Sequence, residues 1–108
     1  MALRSIEFHI LLALAADERH GYALLQEVAS LTEGELQLEP GTLYRALHRM
    51  LKDGWVAESA RRPAADQDDE RRRYYRLTPA GRRIAVAEAE RLSRLVSIAR
   101  AHRLLARA

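Results

Sequence analysis

Pro40-Gly41-Thr42-Leu43-Tyr44-Arg45-Ala46-Leu47-His48-Arg49-Met50-Leu51-Lys52 decides how the rest of the chain is read. At about 3.6 residues per turn, Leu43, Leu47, Met50 and Leu51 fall on one side of a helix. Arg45, His48, Arg49 and Lys52 fall on the other side, with Thr42 and Tyr44 on the flanks. Pro40 presets the first helical turn, and Gly41 permits close approach at the entry. Asp53-Gly54 closes the helix, because glycine takes a left-handed cap conformation cheaply. The apolar side can dock on a core. The polar side carries three fixed positive charges and an aromatic hydroxyl. A helix of this kind fits a major groove, where arginine can donate two bonds to a guanine edge. Taken alone, it reads more readily as an ordinary surface helix with a solvated basic face. The segments on either side reverse that balance.

Downstream, Trp55 to Ser59 reads as a strand, and Arg73 to Leu77 as a second, on their aromatic and β-branched content. Ala60 to Arg72 between them is polar and irregular, so the pair forms a hairpin. Arg61, Arg62, Arg71, Arg72 and Arg73 flank its tip, while Asp66, Asp68, Asp69 and Glu70 occupy it. Flanking arginines suit a phosphate backbone or a minor groove. The acidic tip argues against deep insertion, and a loop whose opposite charges neutralise each other explains it equally well.

Upstream, residues 3–16 carry Leu3, Ile6, Ile10 and Leu14 at helical spacing, widened by Leu11 and Leu12. That stripe is wider than a small core needs and is expected to face a partner chain as well, through Leu3, Ile6 and Ile10. A second helix opens at His20-Gly21-Tyr22 and runs to about Leu31, with Tyr22, Leu25, Val28 and Ala29 as its inner face. Gly21 is expected to allow close packing on the first helix, and His20 reads as a helix-start residue. Thr32 to Glu39 is a connector in which Leu36 and Leu38 suggest a short extended piece.

Thr78-Pro79 opens the last helix, threonine as cap and proline at the first helical position. Nothing after Gly81 breaks the pattern before about Leu105, which gives a helix about 40 Å long. So long a helix cannot bury itself on so small a domain. Leu92, Leu95, Val96 and Ala99 form a stripe, extended by Ile84, Ile98 and Leu105. Glu88, Arg91 and His102 interrupt the narrowest seam, so the pattern is not a clean coiled coil. Pairing across a two-fold axis is the natural way to cover it.

Composition narrows the function classes. The chain has 108 residues, 48% apolar and 31% charged, enough for one small folded domain. It has no cysteine, and its histidines, His9, His20, His48 and His102, are far apart, which speaks against disulfides, thiolate sites and zinc. No apolar run approaches the roughly 20 residues of a membrane span, and the N-terminus lacks the layout of a signal peptide, so a cytoplasmic protein is expected. No cofactor and no metal is expected. The net charge of +3 hides an asymmetry: residues 1–39 carry −5, from two arginines and seven acids, and residues 40–108 carry +8. A basic half suggests a polyanionic partner, although arginine-rich helices are also common where the coding sequence is GC-rich.

The chain resembles the small subclass of PadR-type transcriptional regulators. The stretches that carry the resemblance are His20-Gly21-Tyr22, Gly41-Thr42-Leu43-Tyr44, Ala46-Leu47-His48-Arg49, Asp53-Gly54-Trp55-Val56 and Arg73-Tyr74-Tyr75-Arg76-Leu77-Thr78-Pro79-Ala80-Gly81. Each is weak alone; their order and spacing over about residues 3–82 are specific. The resemblance implies a mainly α fold with a small β-hairpin: a winged helix-turn-helix over 1–78, then a C-terminal dimerisation helix over 79–108. It implies a homodimer that binds double-stranded operator DNA, acts as a repressor, and places Thr42 and Tyr44 near the DNA. Some relatives are released by small molecules near the dimer interface, which leaves an effector at that seam open. Arg45 departs from the family, where proline is common, and so does the acidic wing tip.

The residues expected at DNA are therefore Thr42, Tyr44, Arg45, His48, Arg49, Lys52, Arg61, Arg62, Arg71, Arg72 and Arg73. Those expected at the dimer seam are Leu3, Ile6, Ile10, Leu92, Leu95, Val96, Ala99 and Leu105. Two other classes compete. A winged helix used only for protein contacts would bind no duplex, and the basic half counts against it. An enzyme would need a nucleophile, clustered histidines or a phosphate loop, and none stands out. Trp55 reads as core rather than as a platform for a ligand.

Overall fold

The computed structural model describes residues 4–59 and 73–106. In chain order the elements are α1 (Ser5–Ala16), β1 (Arg19–His20), α2 (Gly21–Leu31), α3 (Pro40–Lys52), β2 (Val56–Glu58), β3 (Tyr74–Leu77) and α4 (Pro79–Ala101). Leu3, Arg61, Arg62, Arg71, Arg72 and the acidic residues at 66–70 lie outside the described residues.

The strands make one antiparallel sheet in the order β1-β3-β2. Val56 pairs with Leu77, Ala57 with Arg76 and Glu58 with Tyr75, and the Ser59 N–H donates to the Tyr74 carbonyl at 2.8 Å. The third strand, β1, lies outside the expected hairpin: Arg19 pairs with Tyr75 and His20 with Tyr74. This strand joins the helix layer to the wing. The Ser59 hydroxyl bonds the Glu18 carboxylate, tying the start of β1 to the end of β2.

α1 is the centre of the domain. It packs against α2, α3, α4 and β3, and Glu7, Ile10, Leu11, Ala13 and Leu14 are all buried. Most of the width of its apolar stripe therefore has an intrachain cause, while Leu12 stays 40% exposed. Ile10 is fully buried in this core and offers no surface to a second chain, which corrects its place among the seam residues. Ile6 is partly buried against the same core.

α2 turns Gly21, Leu24 and Val28 inward, with Leu25 packed at the edge. Tyr22 was expected on that inner face and is instead 60% exposed. One residue of phase separates the two readings: with Gly21 directed at the core, its neighbour must turn outward. His20 caps the helix, its Nδ1 accepting the Ala23 N–H at 3.1 Å, and its ring meets Tyr74 edge-on at 5.3 Å.

α2, α3 and α4 end in the same way. After α3, Gly54 has φ +79°, and the Trp55 N–H returns to the Met50 carbonyl at 2.9 Å. After α2, Glu33 takes φ +54°, and the Gly34 N–H bonds Ala29 at 2.7 Å. This turn opens the 32–39 connector, and no strand forms over Leu36–Leu38. After α4, Arg103 takes φ +62°, and the Leu104 N–H bonds Ala99 at 2.8 Å. Such left-handed caps satisfy carbonyls that the helix leaves open. They end α4 at Ala101, short of the expected Leu105.

Thr78 caps α4 by accepting the Gly81 N–H at 3.0 Å, and its hydroxyl donates to the Gly54 carbonyl at 2.6 Å. One side chain thus fixes the start of α4 to the turn that ends α3. A Cβ on Gly81 would overlap the Trp55 carbonyl oxygen, so only glycine lets the helix pass so close to that backbone. Trp55 itself is buried in the core. Ile84 and Ala85 still pack on the core. From residue 93 on, every residue of α4 except Ala99 is exposed.

Candidate nucleic-acid interface

α3 carries the site. Its inner face is Leu43, Ala46, Leu47 and Met50, all buried, with Leu51 packed at the edge. Gly41, Arg45, His48 and Lys52 are exposed and form one outward stripe at helical spacing. The helix sequence contains no acidic residue, and Arg49 and Lys52 sit in its last turn, where the helix dipole favours positive charge. Pro40 stands in the first turn as expected.

The flanks are less free than their position in the sequence suggests. Thr42 is half-buried, and its hydroxyl accepts a long 3.4 Å bond from the Arg45 guanidinium. Tyr44 is partly buried against the core, and its ring lies over Gly21. The close approach that Gly21 permits is therefore to α3, not to α1. Arg49 was expected wholly on the polar face. Its Nε instead turns inward, 3.7 Å from the Glu7 carboxylate of α1, while 42% of the side chain stays exposed. Tyr44 and Arg49 thus each bridge the outer face and the core.

At the wing, Arg73 is exposed and lies 3.6 Å from Glu58 across the strand pair. Arg76 is exposed on β3 opposite Ala57, a cation that the strand pattern did not single out. The α4 side of the molecule presents a different chemistry. Leu95 (50% exposed), Ile98 (54%), Val96 and Leu105 stand in solvent, joined by Leu104, while Leu92 and Ala99 are half-buried. Glu88 and Arg91, which break the seam pattern, form a two-pronged pair at 2.8 and 2.7 Å. The Arg91 guanidinium holds the Glu88 carboxyl below its usual range, and Glu88 raises Arg91 in turn. Ser5, Phe8, His9, Glu88, Arg91 and Leu92 line a crevice of about 380 Å³ between α1 and α4. Among the described residues, no group of three or more acidic, histidine or cysteine side chains could hold a metal ion. Among those residues, no helix is long and apolar enough to cross a membrane.

Three helices, the third with a basic outer stripe, and a hairpin joined to them by β1 define a winged helix-turn-helix protein. The model of the PadR-like family of transcriptional regulators matches residues 10–87, and the chain belongs to that family. It is 41% identical over 78 residues to the transcriptional regulator Rv3488 of Mycobacterium tuberculosis. That match takes in 72% of this chain and 66% of the relative, just under two thirds of its length. A PadR family transcription regulator of Clostridium difficile superposes with a TM-score of 0.73 at 21% identity, over 92% of this chain and 98% of that one. Bacillus subtilis PadR, solved with operator DNA, superposes with a TM-score of 0.67 at 19% identity, over 80% of this chain and 47% of that one. At these identities the two structures speak for the fold. The family and the relatives are transcriptional regulators rather than enzymes.

Proposed function

We propose that the protein is a repressor that binds operator DNA as a homodimer, with α3 in the major groove and the wing on the flanking backbone. The observation that carries the reading is the outward stripe Gly41, Arg45, His48 and Lys52 on a helix whose opposite face is fully docked. A rigidly seated helix with such a surface suits groove recognition, and the four exposed positions include two fixed cations. The structural relative solved on operator DNA supports the same use of the fold. On this reading residues 1–78 bind DNA, and 79–108 pair two copies through the exposed stripe of α4. A small-molecule effector of the kind the resemblance leaves open would bear on the crevice between α1 and α4, beside that seam.

Selection of bound duplexes from a random pool, using the intact chain, tests the proposal. The expected product is a repeated half-site with its centres about one helical turn, roughly 34–36 Å, apart. Affinity for the selected duplex should fall steeply with rising salt, as cations on the protein release counterions from phosphates. Recovery of no enriched sequence, or binding indifferent to salt, would reject operator recognition and favour a winged helix used for protein contacts.

A further inference from the structure

α1 contributes a carboxylate to the back of α3. Glu7 lies on the core stripe of α1, one turn before Ile10 and Leu11, and its side chain is only 6% exposed. Its Oε1 accepts the Arg4 N–H at 3.0 Å, which anchors the carboxyl group to the first turn of α1. Its Oε2 faces the Arg49 Nε at 3.7 Å. That Nε has no solvent access and no hydrogen-bond partner. The exposed 42% of Arg49 therefore belongs to its methylenes and terminal nitrogens.

A buried carboxylate is costly unless it is paired, so Arg49 is where Glu7 finds its compensation. The pairing also constrains Arg49. Arginine is long and flexible, and holding one in a single geometry on a surface costs side-chain entropy. Here the Glu7 carboxylate lies 3.7 Å behind the buried Nε before any nucleic acid arrives, an ion-pair contact that favours one guanidinium placement. Pre-ordering of this kind favours the one partner geometry that fits and gives little to the others.

We infer that Glu7 is a positioning residue for DNA reading: it holds Arg49 from inside the domain so that the terminal nitrogens of Arg49 meet a base edge in a fixed orientation. This rests on the proposed use of α3 in the major groove. It makes a prediction opposite in sign to that from charge alone. An acidic residue behind a DNA-binding helix repels phosphates, so its neutralisation should strengthen binding to every duplex. If Glu7 orients Arg49, neutralisation should instead weaken the selected duplex and spare unrelated ones.

The test uses Glu7→Gln in the full chain. Glutamine keeps the shape and an oxygen for the Arg4 N–H, and it removes the charge. Affinities are measured for the duplex selected by the wild-type protein and for an unrelated duplex, at one salt concentration. The expected result is a roughly ten- to hundredfold loss on the selected duplex, with unchanged or tighter binding of the unrelated one. In an Arg49→Ala background, Glu7→Gln should have no further effect on the ratio, because the two residues act as one unit. Equal tightening on both duplexes would overturn the inference, since Glu7 would then act only as a charge. A loss of discrimination that persists in the Arg49→Ala background would also overturn it. Should Glu7→Gln fail to fold, Arg49→Lys is the second variant. It keeps the charge and lacks the Nε edge, so it should lose the same discrimination with the same salt dependence. Wild-type discrimination in Arg49→Lys would refute the positioning role while leaving operator binding standing. A wild-type protein that selects no duplex would instead remove the proposed function itself, and the inference with it.

Discussion

The phenol ring of Tyr44 lies over Gly21, so close that a Cβ on the glycine would overlap it. The contact joins the start of α2 to the first turns of α3. Gly21→Ala should force Tyr44 aside and destabilise the fold by about 1–3 kcal/mol, as overpacking does. Tyr44→Ala should also destabilise, because the ring packs on the core. With both changes made, the penalty should be smaller than the sum, since the second removes the clash created by the first. Denaturant titration of the three variants decides it, and strict additivity would show that the ring and the glycine do not constrain each other.

Gly81 makes a stricter demand. The atom that a new Cβ would meet is the backbone oxygen of Trp55, which cannot turn away as a side chain can. Gly81→Ala should therefore shift the start of α4 and weaken the bond from the Thr78 hydroxyl to the Gly54 carbonyl. The expected effect is a melting point lower by roughly 5–15 °C, from a penalty of about 1–3 kcal/mol in a domain of this size. An unchanged melting point would mean that the helix entry adjusts freely.

Much of this architecture was legible in the chain. Leu43, Leu47 and Met50 repeat at helical spacing, and Gly54, Thr78 and Pro79 carry their capping roles in their chemistry, so α3 and the start of α4 could be placed from local signals alone. What escaped was set by distant partners. The strand at Arg19–His20 is two residues long and exists because β3 lies beside it. The left-handed cap at Arg103 lacks the glycine that marks such turns, and after α2 the glycine, Gly34 at φ +84°, stands one place past the capping Glu33. Tyr22 points outward because its neighbour Gly21 faces α3. Glu7 did leave a trace, a carboxylate at i, i+3, i+4 and i+7 with Ile10, Leu11 and Leu14, the pattern of a buried position. Its meaning needed Arg49, which lies far along the chain.

Arg45 and Lys52 stand on the outer stripe of α3, and neither takes part in its packing. If each neutralises a phosphate, Arg45→Ala and Lys52→Ala should weaken binding to all duplexes alike. Each should also lower the slope of log affinity against log salt by about one. A change that affects the selected duplex alone would mark a base contact instead. Normal affinity and slope in both variants would move the nucleic-acid surface off this stripe.

The exposed half of α4 gives the sharpest test of the assembly. Ile84 and Ala85 pack on the core, but Leu95, Val96, Ile98 and Leu105 stay exposed over 37–54% of their surface. Contiguous apolar surface of this kind on a small protein marks an interaction site or a liability to aggregate. A second copy related by a two-fold axis would cover the stripe with itself and bring two α3 helices to bear on one duplex. Leu95→Asp places a charge at the middle of the stripe, where pairing would bury it without a partner. The intact chain should show twice the chain mass by light scattering at micromolar concentration, and Leu95→Asp should move toward a single chain mass. Removal of residues 93–108 should do the same while sparing Ile84, Ala85 and Leu92, so the core stays covered. Both variants should then bind the selected duplex far more weakly, because each half-site is addressed alone. A folded intact chain of single mass would refute the dimer. A shortened chain that still pairs would assign the interface to α1 or the wing.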